Sequence, residues 1–314
     1  MKRIVIFSIV VCFLVLSGLF ALVEKTQGAR AAGSTQAAKA PLPLSDRQIK
    51  DYVRKTQGQQ AVDRMLHRVT QPLATRHYDA AVQTTLPEKQ AGTLAPADVG
   101  HELYAVTPSA AGYIGDIGQQ AFGVGGQFNA ESVALPASTS NVTWVGLGFR
   151  GNSSTVLFPV LAGVDQISLS AAYLTGTGNN AVLTDVFKVN AQDQISAEVY
   201  QWDGNGWFIF IFDHTTGTYF SQIVNYDPGT TLTYTGWVLA VAPPGPLTNF
   251  LPVTFTNANW QGANSGGWQP LINAAYYDQL FLQPANGTGR AWTTEVSNPP
   301  GNSFSILYCP GCSG

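Results

Sequence analysis

Charged side chains are scarce in this sequence of 314 residues, where Asp, Glu, Lys and Arg together make up 11%. The shortage is strongest in residues 103–314, where three basic side chains accompany eleven acidic ones, for a formal net charge of −8. Binding of nucleic acid needs clustered Lys and Arg, so the composition argues against that partner class. Few ionisable pairs also predict that this part of the chain stays folded in acid.

Histidine is equally rare, and no two of the four histidines are spaced as metal ligands. The sequence also lacks a glycine-rich phosphate loop, so we predict neither a metal nor another cofactor. Only His214 lies in the later, strand-rich part of the chain. We interpret it as a surface residue beside a turn rather than a catalytic base. Its neighbour Asp213 would point to the opposite face of a strand.

Cysteine is limited to three residues, of which Cys309 and Cys312 form a Cys-Pro-Gly-Cys motif close to the C-terminus. A redox motif needs a strand followed by a helix, and a zinc site needs two further ligands at matching spacing. Neither accompanies these cysteines, so we predict a small disulfide loop formed in an oxidising compartment.

The first 31 residues combine a basic start, an apolar run over residues 4–23 and a small-residue site at Ala29-Arg30-Ala31. This pattern predicts a cleaved signal peptide and a secreted or cell-surface protein. The apolar run is also long enough to span a bilayer, so a retained N-terminal anchor is the alternative. The membrane would then be contacted through this segment alone.

Residues 32–110 are more basic than the rest of the chain, because nine Lys and Arg side chains lie between residues 33 and 102. Ser45 followed by Gln48 predicts a capping box, and apolar residues recur at helical spacing as far as about residue 68. Gly58 is expected to interrupt this helix. The region is interpreted as either a propeptide that pairs with the acidic body or a solvated linker.

From about residue 111 onward, Gly, Asn, Thr and Ser turns separate short runs rich in β-branched and aromatic residues. One short helix is expected within 270–282. Strands are predicted at 121–135, 142–149, 155–163, 182–189, 194–202, 206–213, 217–225, 235–242, 250–258 and 303–308. Turns at 203–206 and 214–217 should close two hairpins. The pattern predicts an all-β domain over 111–314, a two-sheet antiparallel sandwich of the concanavalin-like jelly-roll type.

Several short motifs within residues 113–300 occur in a characteristic order. They are Tyr113-Ile-Gly, Phe122-Gly-Val, Trp144-Val-Gly-Leu-Gly, Ala162-Gly-Val-Asp165, Gly236-Trp237-Val238-Leu239 and Val253-Thr-Phe-Thr-Asn257. In order and spacing they resemble the eqolisin-type glutamic endopeptidases. The resemblance implies a sandwich of two bent antiparallel sheets with a concave substrate groove.

The same resemblance implies a catalytic glutamine and glutamate, the glutamate acting as general base and the glutamine amide stabilising the oxyanion. Leu161 stands at the glutamine position, two residues before Gly163. Ala240 stands at the glutamate position, three residues after Trp237, and Gly236 replaces an earlier glutamate. Leucine donates no hydrogen bond and alanine accepts no proton, so the sequence predicts that the catalytic pair is missing.

The resemblance also implies that the former groove is now more apolar and could hold an extended peptide or polysaccharide. Its predicted lining comprises Tyr113, Trp144, Leu161, Tyr173, Gly236, Val238 and Ala240. The alternative is that Leu161 and Ala240 pack into a filled core with no groove. Among the remaining acids, Glu198 is the fallback candidate for a displaced general base, and it is expected to share a strand face with Ser196 and Tyr200. Asp165, Asp185 and Gln166 are further polar residues near the motifs.

Three functions remain open from the sequence. The first is an exported, catalytically inactive relative of the glutamic endopeptidases that binds a peptide or glycan. The second is an acid-active endopeptidase whose catalytic pair is displaced. The third is a structural or adhesive surface protein, because a fold alone does not fix a function. The sequence leaves the oligomeric state open.

Overall fold

The structure is a computed structural model. It describes residues 44–78, 83–85, 101–107, 109–131, 140–151, 155–166, 168–242, 247, 249–283, 289–297 and 299–309. The predicted signal segment and Cys312 lie outside these ranges, so the signal peptide and the disulfide stay predictions. Within them, no helix is both long and apolar enough to cross a membrane.

Two short helices open the described chain, α1 at Asp46–Gln57 and α2 at Gln59–Arg64. The predicted capping box is present. The backbone nitrogen of Gln48 donates to Ser45 Oγ at 3.3 Å, and that of Ser45 donates to Gln48 Oε1 at 2.9 Å. Gly58 separates the helices with a φ of 87°, a conformation that costs glycine little. Local sequence chemistry therefore fixes both the start and the break of this helical pair.

The strands found within the described ranges are β1 His67–Val69, β2 Ala74–His77, β3 Gln83–Thr85, β4 His101–Thr107, β5 Ala110–Asp116, β6 Ala121–Asn129, β7 Ser140–Arg150, β8 Thr155–Asp165, β9 Ser170–Thr175, β10 Val182–Lys188, β11 Gln194–Asp203, β12 Gly206–Asp213, β13 Thr218–Asn225, β14 Tyr234–Ala242, β15 Val253–Gly262, β16 Gln269–Pro270, β17 Tyr276–Leu282, β18 Arg290–Thr293 and β19 Phe304–Cys309. All ten predicted strands are present, and nine end within four residues of the predicted bounds. The turns closing β11–β12 and β12–β13 are also confirmed.

The short helix expected within 270–282 forms only at the start of that stretch. This stretch forms a single 3-10 turn at Leu271–Asn273 and then β17. β17 lies between β4 and β5 and pairs with both. Its aromatic start and buried residues on both faces suit a central strand, so sheet pairing outweighs the local helical spacing.

The strands form two packed layers, which confirms the sandwich. Layer one runs β4–β17–β5–β14–β7–β8–β9–β10–β2, with β3 beside the first part of β8. Layer two runs β1–β13–β12–β11–β6–β15–β19–β18, with β16 beside β15. A single residue pair between β17 and β18 joins the layers. Most pairs are antiparallel, whereas β1–β13 and β4–β17 are parallel. Each parallel pair includes one strand from the region before residue 111.

Apolar side chains cover three surfaces. The inter-layer core lies between the layers and includes Val145, Trp237 and Phe128. A second cluster occupies the outer face of layer one. A third forms where Ile49 and Val53 of α1 pack on Phe208, Phe210 and Phe212 of β12. The helical region is thus part of the folded body, attached to the outer face of layer two.

Candidate functional site

Leu161 and Ala240, the two positions that the resemblance assigned to the catalytic pair, lie on the same face of layer one. Leu161 of β8 is opposite Gly146 of β7, and Gly146 is opposite Gly236 of β14. Leu161 is therefore level with Gly236, and Ala240 lies four residues further along β14. Both side chains belong to the apolar cluster on the outer face of layer one, together with Trp144 and Val238.

This face is closed. Leu161 is 0% exposed and Ala240 is 3% exposed, and Trp144 and Val238 are equally buried. Gly236 lies beneath the Phe158 ring, which leaves no room for a side chain at that position. The structure therefore favours the filled core that the sequence left as an alternative to an open groove. Buried Asp165 of β8 lies on the same face, level with Ala240 through Val142, and its carboxylate is paired with Arg76.

Two predicted lining residues face the other way. Tyr113 lies in the inter-layer core, where its ring meets Phe304 edge-on at 4.7 Å and its hydroxyl donates to the Thr294 carbonyl. Tyr173 also lies there, stacked on Phe220 at 5.7 Å. The prediction that they line the groove is wrong. Both faces of layer one are apolar, so sequence alternation does not tell which face is inner.

Among the described residues, a polar surface lies on the outer face of layer two. A cleft of about 400 Å³ opens between the last turn of α1 and strands β11, β6 and β15. Its lining residues are Lys55, Thr56, Gln57, Gly125, Gly126, Gln127, Ser196, Glu198, Asn257, Asn259 and Trp268. Sequence reasoning selected only Glu198 and Ser196 of this set, because the others come from segments brought together by the tertiary fold.

Glu198 is the buried carboxyl of this cleft, and only 7% of its surface is exposed. Tyr52 Oη donates to Glu198 Oε2 at 2.6 Å, and Gln57 Nε2 donates to Glu198 Oε1 at 2.9 Å. Burial raises the pKa of Glu198 above its ordinary value, and these two hydrogen bonds offset only part of the rise. The predicted face-sharing with Ser196 and Tyr200 follows from their alternate positions on β11.

His214 is half-buried and contacts Ser196, one of the residues that line the cleft. Its Nε2 lies 2.7 Å from Ser196 Oγ, and its ring lies 4.2 Å from that of Phe212. Burial lowers the pKa of His214 to about 4, so the imidazole is neutral above that pH. Ser196 has no exposed surface, which denies its hydroxyl to an incoming substrate. The pair is therefore a structural polar contact rather than a nucleophile and base.

Glu198→Gln tests the electrostatics of the cleft. A carboxyl whose pKa is raised by folding leaves stability intact below about pH 4.3, the ordinary Glu value, and lowers it as the pH rises. The wild-type free energy of unfolding should therefore fall relative to Glu198→Gln between pH 4 and 7, by at most about 1.4 kcal/mol per pH unit.

Urea unfolding of both proteins across this range measures the difference. Glu295→Gln, at an exposed position, controls for the loss of one acidic side chain. A difference between wild type and Glu198→Gln that does not change with pH would contradict the assignment of Glu198 as a desolvated carboxyl.

The other acids near the motifs form ion pairs and hydrogen bonds within the fold. Arg76 of β2 pairs with Asp165 and, at 3.7 Å, with Asp185. Buried Glu131 accepts from Asn141 Nδ2 at 2.6 Å, and burial raises the pKa of Glu131 to about 8. The Gln166 amide pairs with the Glu131 backbone at 3.0 and 3.1 Å. None of the described residues form a cluster of three metal-ligating side chains.

Comparisons with known proteins identify a family and similar solved structures. A family described as the peptidase A4 family matches residues 110–306. Scytalido-glutamic peptidase bound to a transition state analog inhibitor is 17% identical, with a TM-score of 0.48 over 64% of this chain and 98% of its own. SCP-B, an eqolisin-family peptidase in complex with the tripeptide Ala-Ile-His, is 16% identical, with a TM-score of 0.43 over the same shares. No curated protein matches the sequence.

Proposed function

Because the chain belongs to the peptidase A4 family, we propose that it is an exported β-sandwich of that family that no longer cleaves peptides and acts by binding. The observation that carries the proposal is the closed apolar face around Leu161 and Ala240. General-base attack needs a carboxylate and water, and oxyanion stabilisation needs a donor. Hydrocarbon at both positions supplies neither, and burial excludes water.

Export is supported by the basic start and the apolar run of the first 31 residues. The ligand class that we propose is an extended peptide or a glycan. The outer face of layer one is an unfavourable place for it, because Leu161, Trp144 and Val238 are buried. A binding role is therefore better supported by the open polar cleft on layer two.

A second candidate is acid-dependent endopeptidase activity that uses Glu198. One observation favours it, namely that a buried carboxyl with a raised pKa lines the same cleft as the amide of Gln127. Groups with shifted pKa values in clefts are frequent at catalytic sites. Against this candidate, both Glu198 oxygens already accept hydrogen bonds from α1.

Hydrolysis of acid-denatured casein from about pH 2 to pH 7, the range over which carboxyls titrate, separates the two candidates. We expect no peptide release by the wild-type protein above the level of a heat-inactivated sample. Cleavage by the wild type would overturn the loss of hydrolysis. If Glu198→Gln then abolished the cleavage, the second candidate would be correct, whereas unchanged cleavage would direct attention back to layer one.

A further inference from the structure

The cleft on layer two has a floor of fully paired strands. β6 pairs with β11 on one side and with β15 on the other, and β11 also pairs with β12. A peptide that binds by adding a strand needs a free strand edge, and the floor offers none. The ligand must therefore be recognised by side chains.

Those side chains are mainly uncharged amides. Gln127, Asn257 and Asn259 face the cleft from β6 and β15. Within the part of the chain that the structure describes, the amides of Gln127 and Asn257 make no side-chain hydrogen bond. Asn259 uses only its oxygen, which accepts from Asn302 Nδ2 at 3.1 Å. Each amide offers both a donor and an acceptor, which matches a hydroxyl group that also donates and accepts.

The backbone is strained where it presents one of these amides. Asn257 has a φ of +52°, in the left-handed region that non-glycine residues rarely adopt. It lies in an irregularity of the β15–β6 pairing between Thr256 and Asn259. Bulges of this kind re-aim a side chain, and local strain concentrates at functional sites. Here Asn257 lies among the residues that line the cleft.

One wall of the cleft is aromatic. Trp268 lines it with its ring 6.5 Å from that of Tyr200. Both rings lie over Gly123 of β6, where an added Cβ would come within 3.1 Å of each. Gly125, two residues further along the same face of β6, leaves room for the Glu198 side chain in the same way. Because these two glycines have no side chains, the Trp268, Tyr200 and Glu198 side chains can lie directly over the strand backbone. Trp268 supplies a flat apolar surface beside the amides.

Charge in the cleft is balanced. Among the described lining residues, Lys55 is the one cation and Glu198 the one acid. The carboxyl of Glu198 is already hydrogen-bonded to Tyr52 and Gln57, so it is a poor partner for a ligand cation. Selection of a phosphate or carboxylate ligand would need several cations. The chemistry therefore favours a neutral ligand rich in hydroxyl groups.

From these observations we propose that the cleft between α1 and layer two binds a neutral oligosaccharide. The apolar face of a sugar ring packs on Trp268, and its hydroxyls bond to the amides of Gln127, Asn257 and Asn259. This inference deepens the proposed binding function and does not depend on the loss of hydrolysis. Casein cleavage and sugar binding are separate readouts, so each can fail alone.

Calorimetric titration of the full-length protein with cellotetraose, mannotetraose and N-acetylated chitotetraose tests the proposal. We expect at least one to bind at micromolar to millimolar concentration. Trp268→Ala should weaken that binding about tenfold or more, as for buried aromatic anchors. Asn257→Ala and Gln127→Ala should each weaken it about fivefold, the equivalent of one hydrogen bond.

Matched variants outside the cleft control for nonspecific effects. Trp292→Ala removes an exposed tryptophan and Asn225→Ala an exposed asparagine, and both should leave the affinity unchanged. Tetragalacturonate and an Ala-Gly hexapeptide serve as charged and peptide ligands. The proposal is overturned if none of the three neutral sugars binds, if the Trp268 and Asn257 variants bind as tightly as the wild type, or if only the charged sugar or the peptide binds.

Discussion

Replacing Trp237 with alanine is expected to lower the free energy of unfolding by about 3–5 kcal/mol, the usual cost of deleting a buried aromatic side chain. Trp237 is fully buried in the inter-layer core. Its Nε1 donates to the Gly125 carbonyl at 2.8 Å, which ties β14 of layer one to β6 of layer two. Truncation would open a cavity and remove one of the polar links between the layers.

Urea unfolding of two variants separates the contributions. Trp237→Phe keeps most of the ring and loses the hydrogen bond, so it should cost about 1–3 kcal/mol. Trp292→Ala removes a tryptophan that is 50% exposed and should cost less than about 1 kcal/mol. An equal effect of Trp237→Ala and Trp292→Ala would contradict the role of Trp237 in joining the layers. Because Gly125 also lies in the floor of the cleft, Trp237→Ala should weaken sugar binding as well.

Replacing Ala240 with glutamate is expected to destabilise the protein by more than about 3 kcal/mol at pH 7, because it places an unpaired carboxylate in a closed apolar cluster. Burial would raise the pKa of the new carboxyl. The destabilisation should therefore grow as the pH rises above about 4.3, where the unfolded chain ionises first. Below that pH, only the cost of the added volume remains, about 1–3 kcal/mol.

Ala240→Gln is the matched control, since it adds nearly the same volume without an ionisable group. Its cost should not depend on pH, and urea unfolding at pH 3 and pH 7 measures the contrast. If glutamate is tolerated at pH 7 as well as glutamine, position 240 is accessible to water and the closed face is incorrect. In that case, acid proteolysis by Leu161→Gln combined with Ala240→Glu would establish an open groove on layer one.

Helix α1 forms part of the cleft on layer two. Tyr52 and Gln57 bond to Glu198, while Ile49 and Val53 anchor the helix on the phenylalanines of β12. The region before residue 111 thus contributes one wall of the cleft and the strands β1 and β4, which pair in parallel with β13 and β17. A protein truncated to residues 103–314 would lack that wall.

The sequence by itself determined the local features. Alternation and turn residues predicted ten strands, Ser45 and Gln48 predicted the helix start, and the order of the motifs indicated the family. These features depend on residues close together in the chain, whose conformational preferences act before any long-range contact forms.

Only the tertiary structure decided which faces are buried and which segments meet. It placed Tyr113 and Tyr173 in the inter-layer core and buried the outer face of layer one. It also made β17 a central strand. It also brought α1, β6 and β15 around Glu198. These outcomes depend on strand pairing and layer packing between residues far apart in the chain, and a layer that is apolar on both faces carries no local signal for which face is inner.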